Sequence, residues 1–223
     1  MKYGETAFDV LYLLFAIISG VVILVRAKDR PGRLMGSAAL ILGCGDAFHL
    51  VPRVLKLFID ADFTAALGIG KLITSVTMTV FYVLLYYVML EYFRGTESRG
   101  VTAAVWALAA LRIALCAFPQ NGWLENSSGV TWSVIRNVPF VALGAVVCFL
   151  YFGKRNEDRL FRPVWIYILL SFAFYVPVAV GAGFVPMLGM LMLPKTVCYV
   201  LLIVVFLRSV LKRGCGETDC PEK

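Results

Sequence analysis

The chain has 223 residues, of which 61% are hydrophobic and 16% are charged, and its formal net charge is +7 at pH 7. Soluble domains are roughly half apolar and about a quarter charged, so this composition excludes an ordinary water-soluble domain. The basic residues stand between apolar runs and form no basic patch with interleaved aromatics, so we expect no nucleic acid partner. The composition predicts an integral membrane protein surrounded by lipids.

Seven apolar runs follow one another along the chain, each long enough to cross the roughly 30 Å hydrocarbon core of a bilayer as a helix. The runs are continuously apolar and do not alternate with period two, which favours helices over a transmembrane barrel. We predict an all-α bundle of seven transmembrane helices as a single domain over residues 1–223, ending in a short tail at 208–223. The predicted spans are about 8–25, 34–55, 65–93, 101–118, 130–152, 164–183 and 187–207.

Basic residues between the runs predict the orientation of the bundle. Arg26, Lys28, Arg30 and Arg33 directly follow the first run, and Lys and Arg accumulate on the cytoplasmic side of membrane proteins. The order of an apolar run before a basic cluster is the reverse of a signal peptide, so we expect the first run to remain in the mature protein. We predict a multi-pass protein of the cell membrane with its N-terminus outside and its C-terminus cytoplasmic.

Ionisable residues within the spans are candidates for function, because a charge at bilayer depth is costly. Asp46, His49 and Arg53 are spaced i, i+3, i+7, which stacks them on one face of the second helix. Further candidates lie in the middle or predicted outer half of the other helices. They are the basic residues Lys71, Arg112, Arg136 and Lys195, and the tyrosines Tyr82, Tyr175 and Tyr199 on the polar faces of their helices.

These faces predict an outward-facing pocket that holds five basic groups against one carboxylate, that of Asp46. Such a pocket attracts a small anionic metabolite or a lipid head group, for transport, flipping or sensing. Arg112 and Arg136 suit bidentate contacts with phosphate or carboxylate, and Lys195 follows Pro194, where an interrupted helix offers free backbone groups. His49 paired with Asp46 is a candidate proton-coupling element.

A structural interpretation competes with this one. Arg53, Lys71 and Arg136 lie close enough to the predicted outer boundary for their side chains to snorkel to lipid head groups. Tyrosine and serine stripes also serve as hydrogen-bonding contacts between helices. Arg112 and Lys195 lie deeper and have no acidic residue in their own helices, so they carry most of the functional prediction.

An intramembrane lipid-modifying enzyme is an alternative, with Asp46 and His49 as acid–base groups. The chain has one histidine, and we count no second aspartate within a span, so we expect no metal centre and no cofactor, assign no catalytic residue and favour binding over catalysis. The Gly45-Asp46 pair resembles the Gly-Asp of the lysoplasmalogenase family of bacterial membrane proteins. That family's later His and Asp are not matched here, so no role is carried over.

Two further alternatives concern Lys195 and the small residues of the second span. A lysine in the seventh span of a protein with its N-terminus outside resembles the arrangement in microbial rhodopsins, which implies retinal bound as a Schiff base. The third span lacks the family's carboxylates, which leaves Asp46 as counterion, and Tyr175 and Pro177 match the sixth-helix pattern in part. Separately, small residues let a second helix approach closely and favour a homo-oligomer or another membrane partner; these are Gly36, Gly43 and Gly45.

Overall fold

The computed structural model describes residues 2–96, 98–127, 129–181 and 184–215. In these residues it is all-helical, without strands, and seven of its helices are long and apolar enough to cross a membrane, so the prediction of seven helices is confirmed. The helices are α1 (Lys2–Arg26), α2 (Arg30–Leu55), α3 (Thr64–Tyr92), α4 (Arg99–Ala117), α5 (Val130–Gly153), α6 (Val164–Gly181) and α7 (Met192–Cys215). Two short 3-10 turns, Pro119–Asn121 and Pro186–Leu191, follow α4 and precede α7.

The seventh helix departs most from its predicted bounds. Regular α-helix begins only at Met192, after the 3-10 turn, and continues to Cys215, while residues 216–223 of the predicted tail lie outside the described residues. Proline is tolerated in the first turn of a helix, where its missing N–H is not needed, and Pro194 occupies that turn. Lys195 therefore lies in the first turn of α7, and not in the middle of a helix as its place within the predicted span indicated.

The seven helices form a closed ring of neighbours. Each helix packs on the next along the chain, α7 returns to pack on α1, and α3 also contacts α5. Short connections make consecutive helices antiparallel. One end of the bundle thus carries the starts of α1, α3, α5 and α7 and the ends of α2, α4 and α6. We call this the N-terminal end, and the opposite end the C-terminal end.

Helices α2 and α3 approach each other closely because glycines replace side chains at their interface. A Cβ atom added to Gly45 would lie 2.0 Å from the Thr77 hydroxyl, and one added to Gly70 would lie 2.2 Å from the carbonyl oxygen of Phe48. Thr74 uses this proximity to donate a hydrogen bond of 3.1 Å to the Gly45 carbonyl. This packing fixes the face of α2 that carries the predicted polar residues.

The glycines that were predicted to admit a partner helix already pack against other helices of the same chain. Added Cβ atoms at Gly36 and Gly43 would meet Leu24 and Ala16 of α1 at 2.7 and 3.0 Å. With Gly45 facing α3, all three glycines pack against neighbours in the same bundle. The argument for an external helix at these positions was wrong, because the same small residues are needed to pack α2 between α1 and α3.

The carboxylate of Asp62 lies just before the start of α3 at the N-terminal end. Asp62 accepts a hydrogen bond of 2.9 Å from the backbone N–H of Thr64. Hydrogen bonds from the Thr64 side chain and backbone lower the pKa of the Asp62 carboxyl below its usual value. The negative charge thereby stays at the positive end of the helix dipole over the ordinary pH range.

Candidate functional site

Arg112 of α4 is the most deeply buried charged residue of the predicted set, with 1% of its surface exposed. Its Nε donates to the Thr79 hydroxyl at 3.1 Å, and its Nη1 donates to the backbone carbonyl of Arg136 at 2.8 Å and to Oδ1 of Asn137 at 2.7 Å. The guanidinium lies 3.9 Å from the ring centroid of Phe140. Among the described residues no carboxylate forms an ion pair with Arg112. Neutral groups alone hold this buried cation.

Asn137 connects Arg112 to the sixth and seventh helices. Its Oδ1 atom accepts a second hydrogen bond of 2.7 Å from the hydroxyl of Tyr175. The Tyr175 ring in turn lies beneath Lys195, whose Nζ is 4.4 Å from the ring centroid, and the Tyr199 ring lies at 5.5 Å. We call Arg112, Asn137, Tyr175 and Lys195 the polar cluster; it joins α4, α5, α6 and α7.

Lys195 has aromatic rings as its closest partners. Its half-buried ammonium makes no hydrogen bond and no ion pair with any residue that the structure describes. A cation on an aromatic face gains about 0.5–2 kcal/mol. The ammonium retains donors for a further acceptor.

Asp46 is the carboxylate that interacts electrostatically with Lys195 of the polar cluster. It accepts a hydrogen bond of 2.7 Å from the hydroxyl of Tyr12 in α1 and interacts electrostatically with Lys195 and Asp9. It does not bond to His49, so the predicted Asp46–His49 pair was wrong. Residues three apart on a helix point about 60° away from each other, and here Asp46 faces α1 while His49 lies beside the backbone of Leu67 in α3. His49 Nδ1 is buried without a hydrogen-bond partner in the described part of the chain.

Arg53 lies outside the polar cluster, in an acidic environment. Its guanidinium forms ion pairs with Glu5 at 3.1 Å and Asp9 at 3.8 Å in the first two turns of α1. Asp9 is 7% exposed and lies within the apolar segment of α1, so the count of no second aspartate within a span was wrong. The sequence could have predicted one acidic face of α1, because the spacing i, i+4, i+7 places Glu5, Asp9 and Tyr12 on the same side of a helix.

Lys71 and Arg136 lie at the rim of the N-terminal end. Lys71 is exposed, and its Nζ donates to Oδ1 of Asn126 at 2.8 Å. Arg136 donates from Nη1 to Oδ1 of Asn121 at 2.8 Å, and its guanidinium lies 4.5 Å from the Trp123 ring centroid. The backbone carbonyl of Arg136 accepts a hydrogen bond from Arg112, and the Arg136 guanidinium interacts electrostatically with Arg112 and Tyr175. Both side chains therefore hydrogen-bond to the connections at the rim, and the Arg136 guanidinium also acts electrostatically on the polar cluster.

The remaining predicted tyrosines, Tyr82 and Tyr199, form a buried group beside the cluster in which their hydroxyls hydrogen-bond to each other and to Ser171. Tyr82 is fully buried, its hydroxyl lies 3.2 Å from the Ser171 hydroxyl, and its ring packs edge-on against Phe140. Tyr199 packs edge-on against Phe81. These contacts give Tyr82 a packing role and place Tyr199 as part of the floor under Lys195.

No protein-family model, curated protein or solved structure matches the chain. The geometry of its own residues is therefore the basis for a functional conclusion. Of the ten predicted site residues, the structure brings together Arg112, Tyr175 and Lys195, with Asp46 and Tyr199 beside them. The Arg136 guanidinium lies at the rim and interacts electrostatically with Arg112 and Tyr175. The structure places the other four elsewhere, namely Arg53, Lys71, His49 and Tyr82.

Sequence reasoning missed four residues that organise the site, namely Tyr12, Thr79, Asn137 and Asp9. Asn137 was the easiest of these four to predict from the sequence, because a single amide within an apolar run requires a polar partner. Two cavities of about 360 and 350 Å³ lie toward the C-terminal end, and no residue of the predicted site lines either of them.

Proposed function

We propose that the chain is a multi-pass membrane protein that binds the phosphate or carboxylate group of a small metabolite or lipid at Arg112 and Lys195. The observation that carries the proposal is the Lys195 ammonium, which has aromatic faces but no acceptor among the described residues. An anion at this position supplies the hydrogen-bond acceptor that Asp46, which interacts with Lys195 only electrostatically, does not provide.

Arg112 strengthens the proposal because its charge is uncompensated. Three of its donor contacts go to neutral oxygens, and its Nη2 makes no hydrogen bond to the described residues. A hydrogen bond that involves a charged group contributes about 1.5–3 kcal/mol, and an anionic acceptor adds the opposite charge that the neutral oxygens lack. Asn137 and Tyr175 hold the two cations at fixed positions, so an anion meets donors that are already arranged.

The orientation follows from the distribution of basic residues. Arg94, Lys154, Arg155, Arg159 and Arg208 lie in or beside the connections at the C-terminal end. By the positive-inside rule that end is cytoplasmic. The polar cluster then lies in the outer half of the bundle, and the anion arrives from the outside. Binding is the step that transport, flipping and sensing share.

The alternatives have less support. A lipid-modifying enzyme that uses Asp46 and His49 needs the two side chains to cooperate, yet they face different helices. A retinal protein needs Lys195 in covalent linkage, which gives a visible absorption band. An absorption spectrum of the purified protein therefore belongs in the first experiment.

The experiment is equilibrium binding of labelled inorganic phosphate and acetate to protein in nanodiscs of neutral lipid. Lys195→Met and Arg112→Gln keep much of the side-chain volume and remove the charge, and Lys71→Gln is a matched control at the exposed rim. We expect each cluster variant to lose at least about tenfold in affinity, the worth of one charge-assisted hydrogen bond, and the control to bind as the wild type does.

Three other outcomes are distinguishable. Equal affinity in all variants contradicts the proposal. Binding of phosphatidylglycerol but not of free phosphate, lost in Lys195→Met, assigns the site to a lipid head group. A visible absorption band that is lost in Lys195→Met indicates that Lys195 binds a chromophore and not an anion.

A further inference from the structure

A groove of about 360 Å³ runs between α5 and α6, away from the polar cluster. Its walls carry almost no polar surface, and it opens sideways, since Phe149 is 74% and Leu169 52% exposed. The volume lies in the range of small-molecule sites, about 300–1,000 Å³. The lining residues used below are Val141, Ala145, Phe152 and Trp165.

The rim of the groove at the C-terminal end is basic. Phe152 and Trp165 close it edge to face, with ring centroids 4.9 Å apart. The guanidinium of Arg155 lies 3.9 Å from the Phe152 ring centroid, and its Nη1 donates to the Phe152 carbonyl at 2.8 Å. The connection 154–163, which joins the two walls, also carries Arg159 and Arg162.

These three arginines are not neutralised by the rest of the chain. In the part that the structure describes, neither Arg155, Arg159 nor Arg162 forms an ion pair. Lys154 differs, because it pairs with Glu157 at 2.7 Å. The groove therefore combines an apolar floor with one cation at its rim, Arg155, that no carboxylate of the described residues pairs with.

The length of the groove matches one leaflet of a bilayer. On α5 it runs from Val141 to Phe152, which is roughly 16 Å at 1.5 Å per residue. Half of a hydrocarbon core of about 30 Å is close to the same length. Trp165 and Arg155 lie at the end of α5, where aromatic and basic side chains meet lipid head groups.

We propose that this groove binds an acyl chain of an anionic glycerophospholipid whose phosphate contacts Arg155. The inference shares with the proposed function only the premise that the bundle spans a membrane, and it concerns the opposite end. The apolar lining selects a hydrocarbon chain, and the arginine rim selects a negative head group. Under the predicted orientation this lipid belongs to the cytoplasmic leaflet, where anionic lipids are abundant.

The test is native mass spectrometry of delipidated protein mixed with equal amounts of phosphatidylglycerol and phosphatidylcholine. Ala145→Trp fills the groove, and Ala107→Trp is its control, because both alanines are exposed and Ala107 lies on α4 outside the groove. Arg155→Gln removes the rim charge, and Arg208→Gln is its control, an exposed arginine of α7 without an ion pair among the described residues.

We expect the wild type and both controls to retain phosphatidylglycerol about fivefold more than phosphatidylcholine, the effect of one basic residue near the head group. Ala145→Trp should lose both lipids, and Arg155→Gln should lose only the preference. Equal retention of the two lipids by the wild type overturns the proposal, as does unchanged retention in both variants. A dimer that Ala145→Trp dissociates without changing lipid retention also overturns it, because a second copy then occupies the groove. Loss of anion binding in Lys195→Met leaves these readouts unaffected.

Discussion

The hydroxyl of Tyr12 in α1 donates a hydrogen bond of 2.7 Å to the carboxylate of Asp46 in α2. Tyr12 is 3% exposed, so this bond lies in a medium where electrostatic interactions are strong. Asp46 is also the carboxylate that interacts with Lys195. Tyr12 therefore competes with Lys195 for Asp46 and helps to leave the ammonium available to an external anion.

Replacing Tyr12 with phenylalanine tests this competition. Tyr12→Phe removes the donor, and we expect a loss of about 0.5–2 kcal/mol in the free energy of unfolding, since intramembrane hydrogen bonds are worth about that much. The freed carboxylate turns toward Lys195, so anion affinity should also fall. Thermal unfolding in detergent and the phosphate-binding measurement check both effects. Tyr167→Phe is the control, because the hydroxyl of Tyr167 makes no hydrogen bond to the described residues. An unchanged affinity with lowered stability would restrict Tyr12 to a structural role.

Asn137 offers a sharper separation of binding from stability. Asn137→Asp is nearly isosteric and keeps an acceptor for Arg112 and Tyr175, which both bond to Oδ1. The new carboxylate supplies the charge that the cluster lacks, so we expect the protein to fold with equal or higher thermal stability and to lose anion binding by at least about tenfold.

The control for this change is Asn126→Asp, which places a carboxylate beside the exposed Lys71. Solvent screens that pair, so affinity and stability should change little. If Asn137→Asp binds phosphate as tightly as the wild type does, the polar cluster is not the site.

The fold was largely predictable, and the side-chain directions were not. Helix α5 was predicted at 130–152 and observed at Val130–Gly153, because an apolar run in lipid has few alternatives to a helix. Asp46 and His49 were predicted to share a face, but a difference of about 60° is enough for each to meet a different neighbour once the helices pack. The depth of Lys195 depended on the 3-10 turn before α7, which no periodicity in the sequence indicates. The position of Asp9 on the same face of α1 as Glu5, in contrast, could have been predicted from their spacing of four residues.

The pair of Arg53 and Asp9 predicts a coupling between α1 and α2. Arg53→Gln leaves the Asp9 carboxylate, which is 7% exposed, without its cation at 3.8 Å. We expect this variant to lose about 1–3 kcal/mol, reduced from the value of a fully buried pair because 40% of the Arg53 side chain is exposed.

A double-mutant cycle checks this coupling. Asp9→Asn removes the charge that Arg53 compensates, so the double variant Arg53→Gln/Asp9→Asn should recover most of the loss. Chemical denaturation of the four proteins gives the coupling free energy. Additive effects would show that Glu5, at 3.1 Å, is the partner that matters to Arg53.

The close approach of α2 and α3 gives the last prediction. A Cβ atom at Gly70 would lie 2.2 Å from the Phe48 carbonyl oxygen and 2.8 Å from the Cα of His49, so Gly70→Ala forces two backbones apart. Overpacking of this kind costs about 1–3 kcal/mol, and we expect a fall of about 2–10 °C in the unfolding midpoint. Gly100→Ala is the control, since no atom lies within 4 Å of its added Cβ in α4.

Alanine exceeds glycine in helix propensity by about 0.5–1 kcal/mol, so Gly100→Ala should leave the midpoint unchanged or raise it slightly. A shift of α2 away from α3 also moves Asp46 relative to Lys195. Gly70→Ala is therefore expected to alter anion affinity, although Gly70 contacts no residue of the polar cluster. A midpoint equal to that of Gly100→Ala would show that α2 and α3 separate without cost and that their interface does not fix the position of Asp46.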